Sequence, residues 1–312
     1  MNGSRVVSMG HYQPPRVLTN DELAQRIDTS DEWIRSRVGI QARHIAAPEE
    51  SVDVMAARAA EHALGRGSLA PGDIDLVLVA TCTAIDRSPN MAARVAARLG
   101  ISTAATLDIN VACSGFSHAL AMADHTIRSG SATRALVIGA EKLSDFTDWD
   151  DRTSCVLVGD GAGAAVVEAS PEREISPVVW GAVPEMSNVV RIEGRTGTFA
   201  QEGQSVYRWA TTSLPPMAQS VCERAGVTPQ ELGAVVLHQA NLRIIESFVK
   251  RLGATNAVIA RDVVESGNTS AASIPLALSK MLERGEVASG THALLFGFGG
   301  GLAYAGQVIR CP

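Results

Sequence analysis

Four short runs of apolar residues punctuate the chain: DLVLVA (75–80), ALVIGA (135–140), AVVLH (234–238) and HALLFG (292–297). Runs this short, with no polar alternation, predict strands buried on both faces of a largely parallel sheet. Helical spacing fills the gaps between them. Phe116, Ala119, Leu120, Ala123 and Ile127 share one face of a predicted helix that Gly130 stops. The stretch SVDVMAARAAEHALGRG (51–67) opens on Ser51 as a cap and is rich in alanine, which suits a helix packed on several sides.

The pattern is written twice. Pro71 and Pro229 stand 158 positions apart, each in a turn before an apolar strand, and Gly139 and Gly297 end later strands at the same offset. Between them Leu99-Gly100 answers Leu252-Gly253, and Ser114-Gly115 answers Ser266-Gly267. Four blocks in one order imply two α/β halves, 1–170 and 171–312, packed as a pseudo-dimer with the boundary in EASPEREISP (168–177). The strand ends of both halves should then meet where ligands sit in such sheets. GDGAGAAVV (159–167) is not a dinucleotide loop, because β-prone AAVVEAS rather than a helix follows it. It reads as a turn between strands.

Composition narrows the class. The chain has 312 residues, 46% hydrophobic and 19% charged, enough for a large core in about two domains. A net charge of −6 gives no general basic footprint for nucleic acid. No apolar run is long enough to span a membrane, and MNGSRVVSMG lacks the apolar core of a signal peptide. Cys82, Cys113, Cys155, Cys222 and Cys311 form no CxxC pair and fit reduced thiols in a cytoplasm.

Chemistry gathers at the strand ends. Cys113 lies between a strand-like run and a helix start, where partial positive charge and free N–H groups favour an exposed thiolate. A free cysteine also often only fills space. His238 ends one strand, Asn268 lies in the repeat partner of the Cys113 loop, and GFGGG (297–301) ends the last strand. Alone, each has a plain structural role: a bonded core histidine, a helix cap, a turn. Together they suit acyl transfer through a thioester. His11, His44, His62, His118, His125 and His292 have no such setting, and no residue grouping suggests a metal site.

TSDEWIRSRVGI (29–40), ACSGF (112–116), GDGAGAAVV, HQANLRI (238–244), GNTSAASIP (267–275) and GFGGG together resemble the β-ketoacyl-[acyl carrier protein] synthase III family. The match runs in order through essentially the whole chain. It implies a thiolase-like fold in a layered αβαβα arrangement and an initiating condensing enzyme without a cofactor. By resemblance, Cys113 carries an acyl group taken from acyl-CoA, and His238 and Asn268 stabilise the enolate left when malonyl-[acyl carrier protein] loses carbon dioxide. The N–H groups of Cys113 and Gly300 form the oxyanion hole. Trp33 and Arg152 match an adenine clamp, Asn241 a pantetheine contact, and Arg37 and Arg243 the rim that meets coenzyme A phosphates or the acidic carrier protein. The family is homodimeric. Ser88 and Val158 fall where acetyl-using relatives have phenylalanines that narrow the acyl pocket, so a longer or branched primer is expected unless Leu143 or Tyr207 refills the space. Two other readings remain at this point: an acyltransferase that moves the acyl group to an alcohol or amine, and a non-catalytic carrier-binding partner, which the presence of Cys113 disfavours.

Overall fold

The computed structural model describes residues 3–194 and 196–312. The apolar runs are strands of two five-stranded sheets. The first holds β1 (Gly3–Tyr12), β2 (Leu76–Ala80), β3 (Ala105–Ile109), β4 (Arg134–Lys142) and β5 (Asp160–Ser170), in the order β1-β5-β4-β2-β3. The second holds β6 (Val179–Ala182), β7 (Ala234–Leu237), β8 (Val258–Ile259), β9 (His292–Gly299) and β10 (Ala303–Arg310), in the order β6-β10-β9-β7-β8. Strand for strand, the two orders are the same.

Both sheets are mixed, which corrects the expectation of largely parallel ones. β2 is parallel to β3 and β4, but β5 is antiparallel to β4 and to β1. The second sheet repeats this pattern. The cause is plainest at β9 and β10, joined only by the turn Gly300–Leu302. So short a link allows a hairpin and no crossover.

Helices cover every sheet face. α1 (Asp31–Val38) lies at the rim of the second half against the outer helix α7 (Leu242–Leu252). α2 (Val52–Arg66) and α3 (Met91–Leu99) cover the outer face of the first sheet. α4 (Gly115–Arg128) and α8 (Ser273–Glu283) run between the sheets and touch both. α5 (Gly203–Thr212), α6 (Leu214–Ala225) and α7 pack together on the far side of the second sheet. Alternation within one run feeds two cores: Val77 and Val79 pack with α2 and α3, while Leu76, Leu78 and Ala80 pack with α4 and α8. The predicted face of α4 (Phe116, Ala119, Leu120, Ala123, Ile127) lies in that central core.

Two sequence readings change. GDGAGAAVV is no turn, since β5 begins at Asp160. Its glycines give room to another backbone: a Cβ on Gly163 would lie 2.4 Å from Leu276 N, and one on Gly159 2.2 Å from Ser266 O. The repeat also has another register near the nucleophile. Ala112 (φ 44°) and Ser270 (φ 45°) each open a one-turn 3-10 helix leading into α4 and α8. They share the 158-residue offset of the proline and glycine pairs, so Ala271 is the counterpart of Cys113, and Ala272-Ser273, not Ser266-Gly267, answers Ser114-Gly115. Extra residues in the second half, between α7 and this turn, carry Asn268.

Candidate active site

Cys113 lies in the turn Ala112–Ser114 and is buried. Burial, with the nearby charge of Glu141, pushes its thiol up to about 11. The expected exposed thiolate is therefore corrected: loss of water outweighs the helix start, and the resting group is a thiol. Gly300, expected to share an oxyanion hole with Cys113, lines one cavity with it. The glycine run is needed for close approach. A Cβ on Gly299 would stand 2.6 Å from Cys113 Cβ and 2.8 Å from Sγ.

Asn268 borders the same cavity of about 490 Å³. Its backbone is fixed by Asn268 N–H donating to Leu157 O (2.7 Å) and Gly159 N–H donating to Asn268 O (2.9 Å). Its side-chain Oδ1 accepts from Ser270 N–H at 2.8 Å. This is an Asx turn and not the helix cap considered from sequence, since Thr269 precedes the 3-10 turn and Ala272 precedes α8, and it has a chemical consequence. With the carbonyl end tied down, the Nδ2 amide is the end left to donate.

His238 follows β7, and its N–H donates to Phe296 O at 2.9 Å. The ring is buried edge-on to Phe298, with centroids 5.4 Å apart. It is not among the residues lining the cavity. It stands one strand away from Gly297 and Gly299, which border Ser114 and Cys113. Ser273 Oγ accepts from Gln239 N–H (3.3 Å) and lies 2.7 Å from His238 Nδ1. With the Ser273 hydroxyl donating to Nδ1, the ring's own proton sits on Nε2. Burial holds the imidazole down to about 3, so it stays neutral at working pH.

The acyl-pocket expectations divide. Leu143 lines the cavity. Val158 does not: it is fully buried, and its backbone bridges to Asn268. Tyr207 does not either, being half exposed in a separate cleft. Ser88 is exposed and away from its own chain's cavity. Val190, on a two-stranded ribbon (Val190–Arg191 with Ala200–Gln201), and Phe199, directly before its second strand, form the wall instead. Sequence gave no sign of them, because the ribbon reaches the cavity only in the fold.

The rim residues gather outside. The Arg152 guanidinium lies 5.0 Å and that of Arg37 6.0 Å from the Trp33 ring centre. Asn241 caps α7 by accepting from Arg243 N–H (2.9 Å), and its amide donates to Arg37 O (3.4 Å). Arg37 and Arg243 share a cleft of about 540 Å³ with Tyr207 and with Arg208 and Arg251, which the motif reading had missed. Among the described residues, these four arginines have no carboxylate partner. Among the same residues, no helix is long and apolar enough to cross a membrane.

Known proteins share this arrangement. The family model described as 3-oxoacyl-[acyl-carrier-protein] synthase III matches residues 107–184, and its C-terminal companion matches 222–311. β-Ketoacyl-[acyl-carrier-protein] synthase III 2 of Streptomyces avermitilis is 70% identical, with 100% of both chains covered. β-Ketoacyl-[acyl-carrier-protein] synthase III 4 of Streptomyces coelicolor is 68% identical over 99% of each. Among solved structures, the priming β-ketosynthase of the R1128 polyketide pathway superposes with a TM-score of 0.97 at 39% identity, covering 100% of this chain and 97% of its own.

Proposed function

The chain belongs to the β-ketoacyl-[acyl carrier protein] synthase III family, and from that premise we propose how its own residues carry out a decarboxylative condensation that primes fatty acid or polyketide synthesis. The Cys113 sulfur attacks the carbonyl of an acyl-CoA. The bond to coenzyme A breaks, and coenzyme A leaves as its thiol with the cysteine's proton. The Cys113 and Gly300 N–H groups stabilise the transient oxyanion. Malonyl-carrier protein then enters. Its bond to carbon dioxide breaks, and the electron pair moves onto the thioester oxygen as an enolate. Asn268 Nδ2–H and His238 Nε2–H donate to that oxygen. The enolate carbon attacks acyl-Cys113, and the released thiolate takes a proton from solvent.

The orientation of Asn268 carries this reading. Its carbonyl end is held by Ser270 N–H, which leaves an amide donor in the cavity that holds Cys113. Acyl transfer to an alcohol or amine forms no enolate and has no use for that donor. Asn268→Ala is expected to keep self-acylation, read by intact mass, and to lose carbon dioxide release by about 10²–10³-fold. Unchanged carbon dioxide release would refute the assignment.

Trp33 and Arg152 suit the adenine of coenzyme A, and the arginine cleft suits its phosphates or an acidic carrier protein. A cavity of about 490 Å³, walled by Leu143, Val190 and Phe199, supports a primer longer than acetyl. The five cysteines are free, which supports a reducing cytoplasm. A homodimer is supported by the open edge at β3. Leu107 there is 50% exposed, near the Ser88 loop, whose Asn90 donates to Thr106 O.

A further inference from the structure

Glu141 lies on β4 with none of its surface exposed, and the steps above leave it unused. Its carboxylate accepts from Thr83 Oγ1 (2.6 Å), Ser270 Oγ (3.0 Å), Thr81 Oγ1 (3.1 Å), Cys82 N–H (3.1 Å) and, at longer range, Ala271 N–H (3.4 Å). A buried carboxylate with no cation beside it is tolerable only with such a set of donors. They come from two places. Thr81, Cys82 and Thr83 follow β2 in the first half, whereas Ser270 and Ala271 belong to the turn before α8 in the second.

Ser270 also lines the cavity that holds Cys113 and Asn268. Its hydroxyl lies 3.7 Å from Cys82 Sγ, and its N–H holds Asn268 Oδ1 at 2.8 Å. It does so from a left-handed backbone (φ 45°), a conformation that costs a non-glycine residue energy and persists only where surrounding bonds impose it. The Glu141 bonds to its hydroxyl and to the next N–H are those constraints.

We propose that Glu141 is a positioning residue: it clamps Ser270 in its left-handed turn, and Ser270 holds the Asn268 amide in register with the cavity that holds Cys113. The clamp rests on the roles given above to Cys113 and Asn268. It ties the two halves together at the point where the nucleophile of one meets the donor of the other. Glu141 itself touches no substrate, so its effect should fall on turnover and not on substrate affinity.

The test uses full-length wild type, Glu141→Gln, Ser270→Ala and the double variant, with an acyl-CoA and malonyl-carrier protein. The glutamine keeps the shape but offers one acceptor oxygen where the carboxylate offers two. Both single variants are expected to lose about 10²-fold in kcat, the scale of a misplaced reacting group, with KM for malonyl-carrier protein within about twofold of wild type. The double variant should be no slower than the slower single, because both substitutions break one link. Ser270→Ala leaves Glu141 its Thr81, Thr83 and Cys82 donors and decides the matter even where Glu141→Gln does not fold. Wild-type kcat in either single variant, or losses that multiply in the double, overturn the clamp. Wild type that neither acylates nor releases carbon dioxide sinks the assigned function and the clamp with it, whereas active wild type beside equally active variants sinks the clamp alone.

Discussion

At Cys113 two influences oppose each other, and burial is the larger. A thiol held up to about 11 has little thiolate near neutral pH, and its thiolate fraction grows about tenfold per pH unit below that value. Acylation by acyl-CoA, followed by intact mass, is expected to accelerate steadily from about pH 6 to about pH 9. A plateau in that range would show that the helix start outweighs burial. His238 adds no break to this profile, since it stays neutral far below pH 6. Residue type and position made Cys113, His238 and Asn268 legible in the sequence. Glu141 was not legible: it sits in an apolar strand, and its partner Ser270 lies 129 residues away. No local pattern marks a carboxylate whose donors are assembled only by the fold.

Among the elements, the apolar strands and the α4 face were readable because each is a local periodicity. The direction of β5, the register of the repeat at Ser270 and the ribbon beside the cavity were not, since each depends on what packs against it. The ribbon matters for specificity. Phe199 is buried in the cavity wall, and its N–H donates to Phe146 O at 2.7 Å. Phe199→Ala should lengthen the space for the primer without disturbing that backbone bond. Competition between short and longer acyl-CoAs is expected to shift toward the longer by about 10–200-fold per added methylene accommodated. An unchanged preference would place the acyl chain elsewhere.

For the whole molecule, the two halves cannot be treated as separable bodies, because α8 of the second packs on β1 and β5 of the first. The open edge lies on the other side, at β3. Leu107→Arg places a charge on that edge and is expected to convert a dimer to a monomer by light scattering, because a buried unpaired charge is costly at an interface. A monomeric wild type at micromolar concentration would remove the premise. The arginine cleft works at longer range. The chain carries a net charge of −6, so an acidic carrier protein is repelled by the molecule as a whole and attracted by Arg37, Arg208, Arg243 and Arg251 alone. Distant charges are screened first: at physiological ionic strength the Debye length is about 8 Å. Moderate salt should therefore silence the repulsion while the close attraction survives, and only higher salt should weaken the encounter. The association rate with carrier protein, measured by stopped flow across a salt series, is expected to pass through a maximum and not to fall from the start. What a small patch of like charge should give this acidic protein is a docking rate that first rises and then falls as salt is added.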